Sequence, residues 1–373
     1  MKVLTVVGAR PQFIKAAPVS RVLRANHVEI LVHTGQHYDE AMSAGFFRDL
    51  EIPEPDVNLG VGSGSHGAMT GEMLEGLERV IADRVPDGVL VYGDTNSTLA
   101  GALAAAKIVY PDGTRPWLAH VEAGLRSFNR RMPEERNRIV TDHLSDLCLA
   151  PTDAAVRNLE HEGLGQRTEN VGDVMVDTHR WALERAGDRL PAVARENDRY
   201  VLLTLHRAEN VDESVSLARL AQALRIDLPV IFPVHPRTRA MLSAGGLDLP
   251  PNVVTIGPVG YLEMVALEAS AYAIATDSGG VQKEAYLSGV PCITLRSETE
   301  WVETVDAGWN RVVGAAPGQL AAALADVEFM SRERPRPDLF GDGRAAGRVV
   351  ASLERLTSRL HAPAAETAEA RAS

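Results

Sequence analysis

With 373 residues, 45% of them apolar and 24% charged, the chain is long enough to bury large cores and too long for one compact domain, so two domains are expected. A total of 38 Lys and Arg against 50 Asp and Glu gives a formal net charge of -12; with no local basic patch to offset that field, a nucleic-acid partner is excluded. Cys148 and Cys292 lie far apart inside apolar runs, as buried thiols of a reducing compartment do, and leave no disulfide and no Cys-rich metal site. The apolar run over 3–7 is broken by Gly8, Arg10 and Pro11 before it reaches signal-peptide length, and no stretch approaches a membrane span; a cytoplasmic location is expected.

Strands are predicted over 3–7, 28–33, 89–92, 117–121, 147–150 and 169–171, and then over 200–205, 230–234, 253–256, 273–275 and 292–295. Helical patterns fall between them at 13–25, 69–83, 98–109, 134–144, 154–162, 216–224, 282–287 and 319–329. This alternation is that of parallel sheets with crossover helices. A seam near 172–191, carried by a charged helical pattern over 174–189, separates two halves of similar size. Each half reads as a doubly wound α/β domain, whose ligands bind beyond the carboxyl ends of the strands. The Ala/Glu/Thr-rich stretch 362–373 has no apolar periodicity and is expected to be disordered.

The first strand runs into Gly8-Ala9-Arg10-Pro11-Gln12 and a helix carrying Lys15, which puts N–H groups and two cations at a helix N-terminus. That suits an anion, although a βα turn with two solvated cations reads equally well. Gly62-Ser63-Gly64-Ser65-His66-Gly67 matches a dinucleotide fingerprint by letter only; it lacks a clear preceding strand and the following acid, and reads as a loop over a cleft. Asp94 follows an apolar strand and could cap the next helix, but Thr95, Asn96 and Ser97 can each do so, which leaves its carboxyl for other work. Glu122 ends a strand among small residues, where a carboxyl gains the raised pKa of a general acid or base; an ion pair with Arg126 is the plain alternative. Pro133 and two acids open a helix on which Glu134 and Arg138 stand four apart, an ordinary ion-pair spacing.

In the second half His206 and His235 each follow a strand, with no third metal ligand at sensible spacing, and so read as phosphate or base contacts. Thr276-Asp277-Ser278-Gly279-Gly280 turns a strand into a helix and offers a hydroxyl and successive N–H groups to a diphosphate. Glu284, one turn further on, can accept hydrogen bonds from ribose hydroxyls.

Taken together, Gly8-Ala9-Arg10-Pro11-Gln12, Gly93-Asp94-Thr95, the string from His120 to Arg126, Pro133-Glu134-Glu135, His206-Arg207, Pro233-Val234-His235-Pro236 and Asp277-Ser278-Gly279-Gly280 resemble the non-hydrolysing UDP-N-acetylglucosamine 2-epimerases, in order and over nearly the whole chain. The resemblance implies a GT-B architecture: two Rossmann-like doubly wound domains facing a central cleft, residues 1–171 with the acid/base carboxyls and 172–354 binding UDP. A last helix near 355–361 would pack back on the first domain. It also implies a homodimer with no cofactor and no metal, acting on a UDP-sugar and holding UDP, with no membrane partner. By resemblance Asp94, Glu122 and Glu134 are the acid/base carboxyls and His206 stands near the departing diphosphate. Arg10, Lys15, Arg138, His235, Ser278, Gly279, Gly280 and Glu284 are by the same resemblance the substrate contacts.

The reaction so implied removes the C2 proton of UDP-GlcNAc, expels UDP to give 2-acetamidoglucal, and re-adds UDP after protonation on the other face to give UDP-ManNAc. A hydrolysing epimerase, a GT-B glycosyltransferase and a UDP-sugar sensor are the competing readings. Family members activated by their own substrate typically differ at Tyr38, Asp39 and Ala208, so an enzyme needing no UDP-GlcNAc as activator is expected.

Overall fold

A computed structural model describes residues 1–35, 45, 47–205, 221–234, 238–240, 242, 249–314, 316 and 318–361. His206, His235, Tyr38, Asp39 and Ala208 lie outside the described residues, as do 362–373. Of the helix expected over 216–224 only 221–224 are described, and 221–223 are helical.

The chain divides into two compact units, one of Met1–Thr178 that takes up the chain again from Phe340, the other of His179–Leu339. The first is built on β1 (Lys2–Val7), β2 (Val28–His33), β3 (Val57–Asn58), β4 (Gly88–Tyr92), β5 (Trp117–Val121), β6 (Leu147–Ala150) and β7 (Thr168–Asn170). All pair in parallel, in the order β3-β2-β1-β4-β5-β6-β7. The near-continuous apolar runs of β1, β4 and β5 follow from burial on both faces of such a sheet. Its helices include α1 (Arg10–Asn26), α2 (His66–Arg84), α3 (Asn96–Lys107), α4 (Pro133–Leu144), α5 (Asp153–His161) and α6 (Val174–Ala186), the last reaching into the second unit.

The second unit holds β8 (Val201–Thr204), β9 (Val230–Pro233), β10 (Val253–Ile256), β11 (Ala273–Thr276), β12 (Cys292–Thr294) and β13 (Asn310–Val312), again all parallel, in the order β10-β9-β8-β11-β12-β13. Helices α7 (Tyr261–Ser270) and α8 (Gly279–Ser288) flank β11 in sequence. The strand order reverses between β1 and β4 in one unit and between β8 and β11 in the other. Those are the switch points where the ends of neighbouring strands part and a ligand can enter. Cys148 and Cys292 are buried free thiols, and burial pushes the pKa of each up to about 12.

From Phe340 the chain returns to the first unit. Asp173 N–H donates to Phe340 O at 2.9 Å, and the Asp177 carboxylate accepts from the first N–H groups of α9 (Ala345–His361), Ala345 at 3.1 Å and Ala346 at 3.0 Å. Helix α9 lies along α1 and β5, with Trp117 Nε1 donating to Thr357 Oγ1 at 3.0 Å and His27 facing Glu354 at 2.8 Å. The return begins well before 355, because α9 needs its whole apolar face, from Ala345 to Leu356, to cover that side of the sheet. Residues 172–178 belong with the first unit for a like reason: Thr178 Oγ1 donates to Ile14 O at 2.7 Å. Among the described residues no helix is long and apolar enough to cross a membrane.

Candidate active site

The first unit concentrates its chemistry where β1, β4 and β5 end. Gly8 leaves β1 in close contact: a Cβ there would meet Ser97 Oγ at 2.1 Å and Thr34 Oγ1 at 2.2 Å, so only glycine lets β1 pass the start of α3. The Gly8 and Ala9 N–H groups donate to Gln12 Oε1 at 2.8 and 3.1 Å. Two of the N–H groups of the turn are thus already bonded within it, and the cationic side chains that follow are those of Arg10 and Lys15.

Lys15 and Glu122 meet in an ion pair, both nearly buried. Glu122 therefore pairs across strands with the helix after β1 and not with Arg126. Its backbone has φ +72°, a left-handed conformation that costs a non-glycine residue about 1 kcal/mol and collects at functional sites. Gly93, at φ +63°, ends β4 beneath the pair; a Cβ on it would stand 3.2 Å from Lys15 Nζ and 3.3 Å from Glu122 Oε2.

Asp94 follows. Thr95, not Asp94, caps α3, accepting from the Thr98 N–H at 3.3 Å. The Asp94 carboxyl is left for the site, as the spare capping residues beside it lead one to expect. Arg138 Nε stands 3.2 Å from Asp94 Oδ2, and Asn137 Nδ2 donates to Asp94 O at 2.9 Å. The surrounding protein pushes the Asp94 pKa above the usual carboxylate value; Arg138 and Lys15 oppose this, while Glu122 and Glu134 add to it. About a third of the side chain (35%) stays accessible, so a carboxyl with a raised pKa is still reachable by a ligand. Glu134 is half-buried and close enough for its charge to act on Asp94.

The spacing of Glu134 and Arg138 suggests an ion pair of four residues, but Arg138 reaches Glu135 instead, Nη1 to Oε2 at 3.1 Å, besides Asp94. Glu135 is the buried acid of the two and accepts from Ser127 N and Oγ and from Phe128 N at 2.8 to 3.0 Å. It holds the loop before α4, and Glu134 is the acid whose charge acts on Asp94.

A buried network missed by the sequence reading fixes this arrangement. The His120 ring reaches Asp142 Oδ1 from Nδ1 at 2.6 Å and Gly93 O from Nε2 at 2.7 Å; both are acceptors, so the ring donates from each nitrogen. Asp142 also accepts from Gly124 N at 3.1 Å and pairs with Arg126 at 2.7 Å, and Arg126 goes on to Glu162 at 2.8 Å. Burial works to raise the Asp142 pKa, yet the His120 and Arg126 charges outweigh it and hold the carboxyl below its usual value. The network ties the turn after β4 to the turn after β5. A signal existed in the alternation of His120, Gly124 and Arg126, but their partner Asp142 lies on the following helix.

In the second unit β11 runs through Asp277 into α8. Ser278 is the N-cap residue but makes no side-chain cap bond, and its own N–H donates to Thr276 Oγ1 at 2.9 Å. The leading N–H groups of α8 thus lack a cap from Ser278, as an anion-receiving helix start requires. At Gly279 a Cβ would stand 2.0 Å from Glu300 Oε1, so a larger residue there would displace the end of that side chain, while Gly280 is exposed. Glu284 is buried on the first turns of α8, with its pKa pushed up by burial to about 7 against the pull of Tyr261, Lys283 and Glu268.

Comparison with known proteins adds to this geometry. A family model described as UDP-N-acetylglucosamine 2-epimerase matches residues 21–354. The chain is 48% identical to the UDP-2,3-diacetamido-2,3-dideoxy-D-glucuronate 2-epimerase of Pseudomonas aeruginosa, over 95% of this chain and 100% of that one. The crystal structure of Methanocaldococcus jannaschii UDP-GlcNAc 2-epimerase in complex with UDP-GlcNAc and UDP is similar with a TM-score of 0.84 at 42% identity, covering 95% of this chain and 100% of that one. The calicheamicin glycosyltransferase CalG4, 19% identical with a TM-score of 0.58 over 97% of this chain and 99% of its own, shares the fold alone, which is the GT-B architecture. Matched in this way along most of its length, the chain belongs to the UDP-N-acetylglucosamine 2-epimerase family.

Proposed function

We propose that the protein interconverts UDP-GlcNAc and UDP-ManNAc without net hydrolysis. A carboxylate of the first unit removes the C2 proton, UDP leaves C1 to give 2-acetamidoglucal, a second carboxyl protonates the opposite face of C2, and UDP re-adds. A C2 hydrogen is weakly acidic, so its removal needs a base shielded from water and an acid whose proton is retained near neutrality. Asp94, Glu122 and Glu134 are the groups assigned to that work, and the observation that carries the assignment is Asp94: reachable, ringed by two cations and two acids, and raised in pKa. Departure of the diphosphate needs positive charge and N–H dipoles aimed at the oxygen that becomes negative. Arg10, Lys15 and Arg138 supply the charge in the first unit. In the second, Ser278, Gly279 and Gly280 at the start of α8 are assigned to the diphosphate and Glu284 to the ribose, with His206 and His235 as further phosphate contacts.

Incubation with UDP-GlcNAc in deuterium oxide, followed by NMR, tests this: deuterium enters C2, the configuration inverts, and the sugar stays joined to UDP. Free ManNAc would favour a hydrolysing epimerase, and transfer to an acceptor without C2 exchange a glycosyltransferase. Asp94→Asn and Glu122→Gln are expected to lose turnover by several powers of ten and to keep UDP binding, because an amide cannot shuttle a proton. Near-normal epimerisation by either variant would defeat the assignment. A UDP-2,3-diacetamido uronic acid is the second reading of the substrate, supported by the 48% identity to the Pseudomonas aeruginosa enzyme, and kcat/KM on the two sugars decides between them. The same reading takes the enzyme as a cytoplasmic homodimer that needs no activator.

A further inference from the structure

Beneath the residue assigned to the ribose lies a second acid that neither the sequence reading nor the proposed reaction uses. Glu268, near the end of α7, is fully buried and near enough to Tyr200 and Cys292 of the apolar core for its charge to act on both. Among the described residues neither of its carboxyl oxygens has a hydrogen-bond donor, and Glu284 Oε1 has none either. The two acids nevertheless act strongly on each other. Two bare carboxylates side by side in a dry core would repel, with no donor to offset the lost hydration, so such a pair holds a proton between its members.

Which acid keeps the proton follows from the neighbours. Lys283 and Tyr261 both favour the ionised form of Glu284. Among the described residues the groups that feel Glu268 besides Glu284 are Tyr261, Tyr200 and Cys292, each kept neutral by burial, and no cation there opposes the burial of Glu268 itself. Lys283, which is fully buried, stands 4.1 Å over the Trp301 ring and is tied to the α8 side of the pair.

We infer that Glu268 is a positioning residue of the nucleotide site: it stays a neutral acid and donates its O–H to Glu284, which is thereby held as a carboxylate aimed at ribose hydroxyls. This rests on the reading of Glu284 as a ribose contact. When the ribose binds, its two hydroxyls become further donors to Glu284, which then binds its own proton less tightly. Nucleotide binding below about pH 7 therefore releases a proton from Glu284, whereas Glu268 keeps its own throughout.

The test is calorimetric titration of the full chain with UDP-GlcNAc, whose diester diphosphate does not itself titrate, at intervals from about pH 6 to about pH 8. In the wild type the affinity is expected to fall below about pH 7, approaching tenfold per unit. Glu268→Ala removes the donor: binding weakens by about tenfold or more at pH 8, and the fall begins at higher pH. Glu268→Gln, whose amide N–H replaces the acid O–H, restores both the affinity and the pH profile to within about threefold of wild type, a recovery that loss of packing alone would not produce. If Glu268→Gln binds as weakly as Glu268→Ala, or if Glu268→Ala keeps the wild-type profile, the inference is overturned. If the wild type does not bind UDP-GlcNAc at all, it is the proposed function that fails.

Discussion

Replacing Gly93 by alanine adds one methyl group at the centre of the first unit's site. At φ +63° an L-residue costs about 1 kcal/mol, and the new Cβ would lie 3.2 Å from Lys15 Nζ and 3.3 Å from Glu122 Oε2, so the ion pair must give by a few tenths of an ångström. Together these destabilise by about 1–2 kcal/mol, which a domain with roughly 5–15 kcal/mol of stability survives. Misplacing reacting groups by about 1 Å costs about a hundredfold in rate, so a shift of less than half that size predicts a fall in turnover of about tenfold. Gly113 provides the control: its φ is +83° and a Cβ there meets nothing within 4 Å, so Gly113→Ala carries the same backbone strain without touching the site. C2 deuterium incorporation and thermal unfolding are measured on both variants. Gly93→Ala turning over at the wild-type rate, or Gly113→Ala losing as much activity as Gly93→Ala, would refute the reasoning.

Asp142→Asn leaves the His120 ring and Arg126 facing a neutral amide in a fully buried place, and is expected to lower the stability of the first unit by about 3–5 kcal/mol in denaturant titration. Because the folded-state pKa of Asp142 is depressed, its contribution is present above the ordinary aspartate value and is lost as the pH falls through the folded value; the variant should lack that acid-induced loss. His179, buried and 3.0 Å from Ser288 Oγ, has its pKa lowered from 6.5 to about 4 by burial and, less, by Arg336. The unfolded chain binds this proton first, so stability declines as the pH drops from 6.5 toward about 4, by about 3 kcal/mol in all at about 1.36 kcal/mol per unit. His179→Gln, which cannot charge, should flatten unfolding midpoints over that interval, and an unchanged slope would count against the assignment.

The parallel two-sheet architecture was legible because doubly buried strands are near-continuous apolar runs, as in β5 and β6, whose bounds the sequence reading marks as the structure does. Two edge strands, β3 and β13, escaped it: each is two or three residues long and only partly buried. Helix α7 escaped it for the opposite reason, since Tyr261, Leu262, Val265, Ala266, Leu267 and Glu268 are all buried and leave no polar stripe to set a period. The helix expected over 319–329 breaks in two at Asp326, whose side chain caps a new start by accepting from Phe329 N at 3.0 Å. In the site, residue types and strand ends were legible, but the pairings were not. Arg126 is near Glu122 in sequence and Lys15 is not, yet parallel pairing of β1, β4 and β5 brings Lys15 to Glu122 and leaves Arg126 to Asp142. The pairing of Glu268 with Glu284 was hidden in the same way, because it depends on α7 lying against α8.

The return of α9 to the first unit sets an order of events during synthesis. The half that leaves the ribosome first lacks the helix that covers α1 and β5 until the final residues of that helix emerge, by which time every strand of the other half is already out of the tunnel. The earlier-made sheet is therefore the later one to mature, and through that interval one of its faces must be shielded by a chaperone or remain bare.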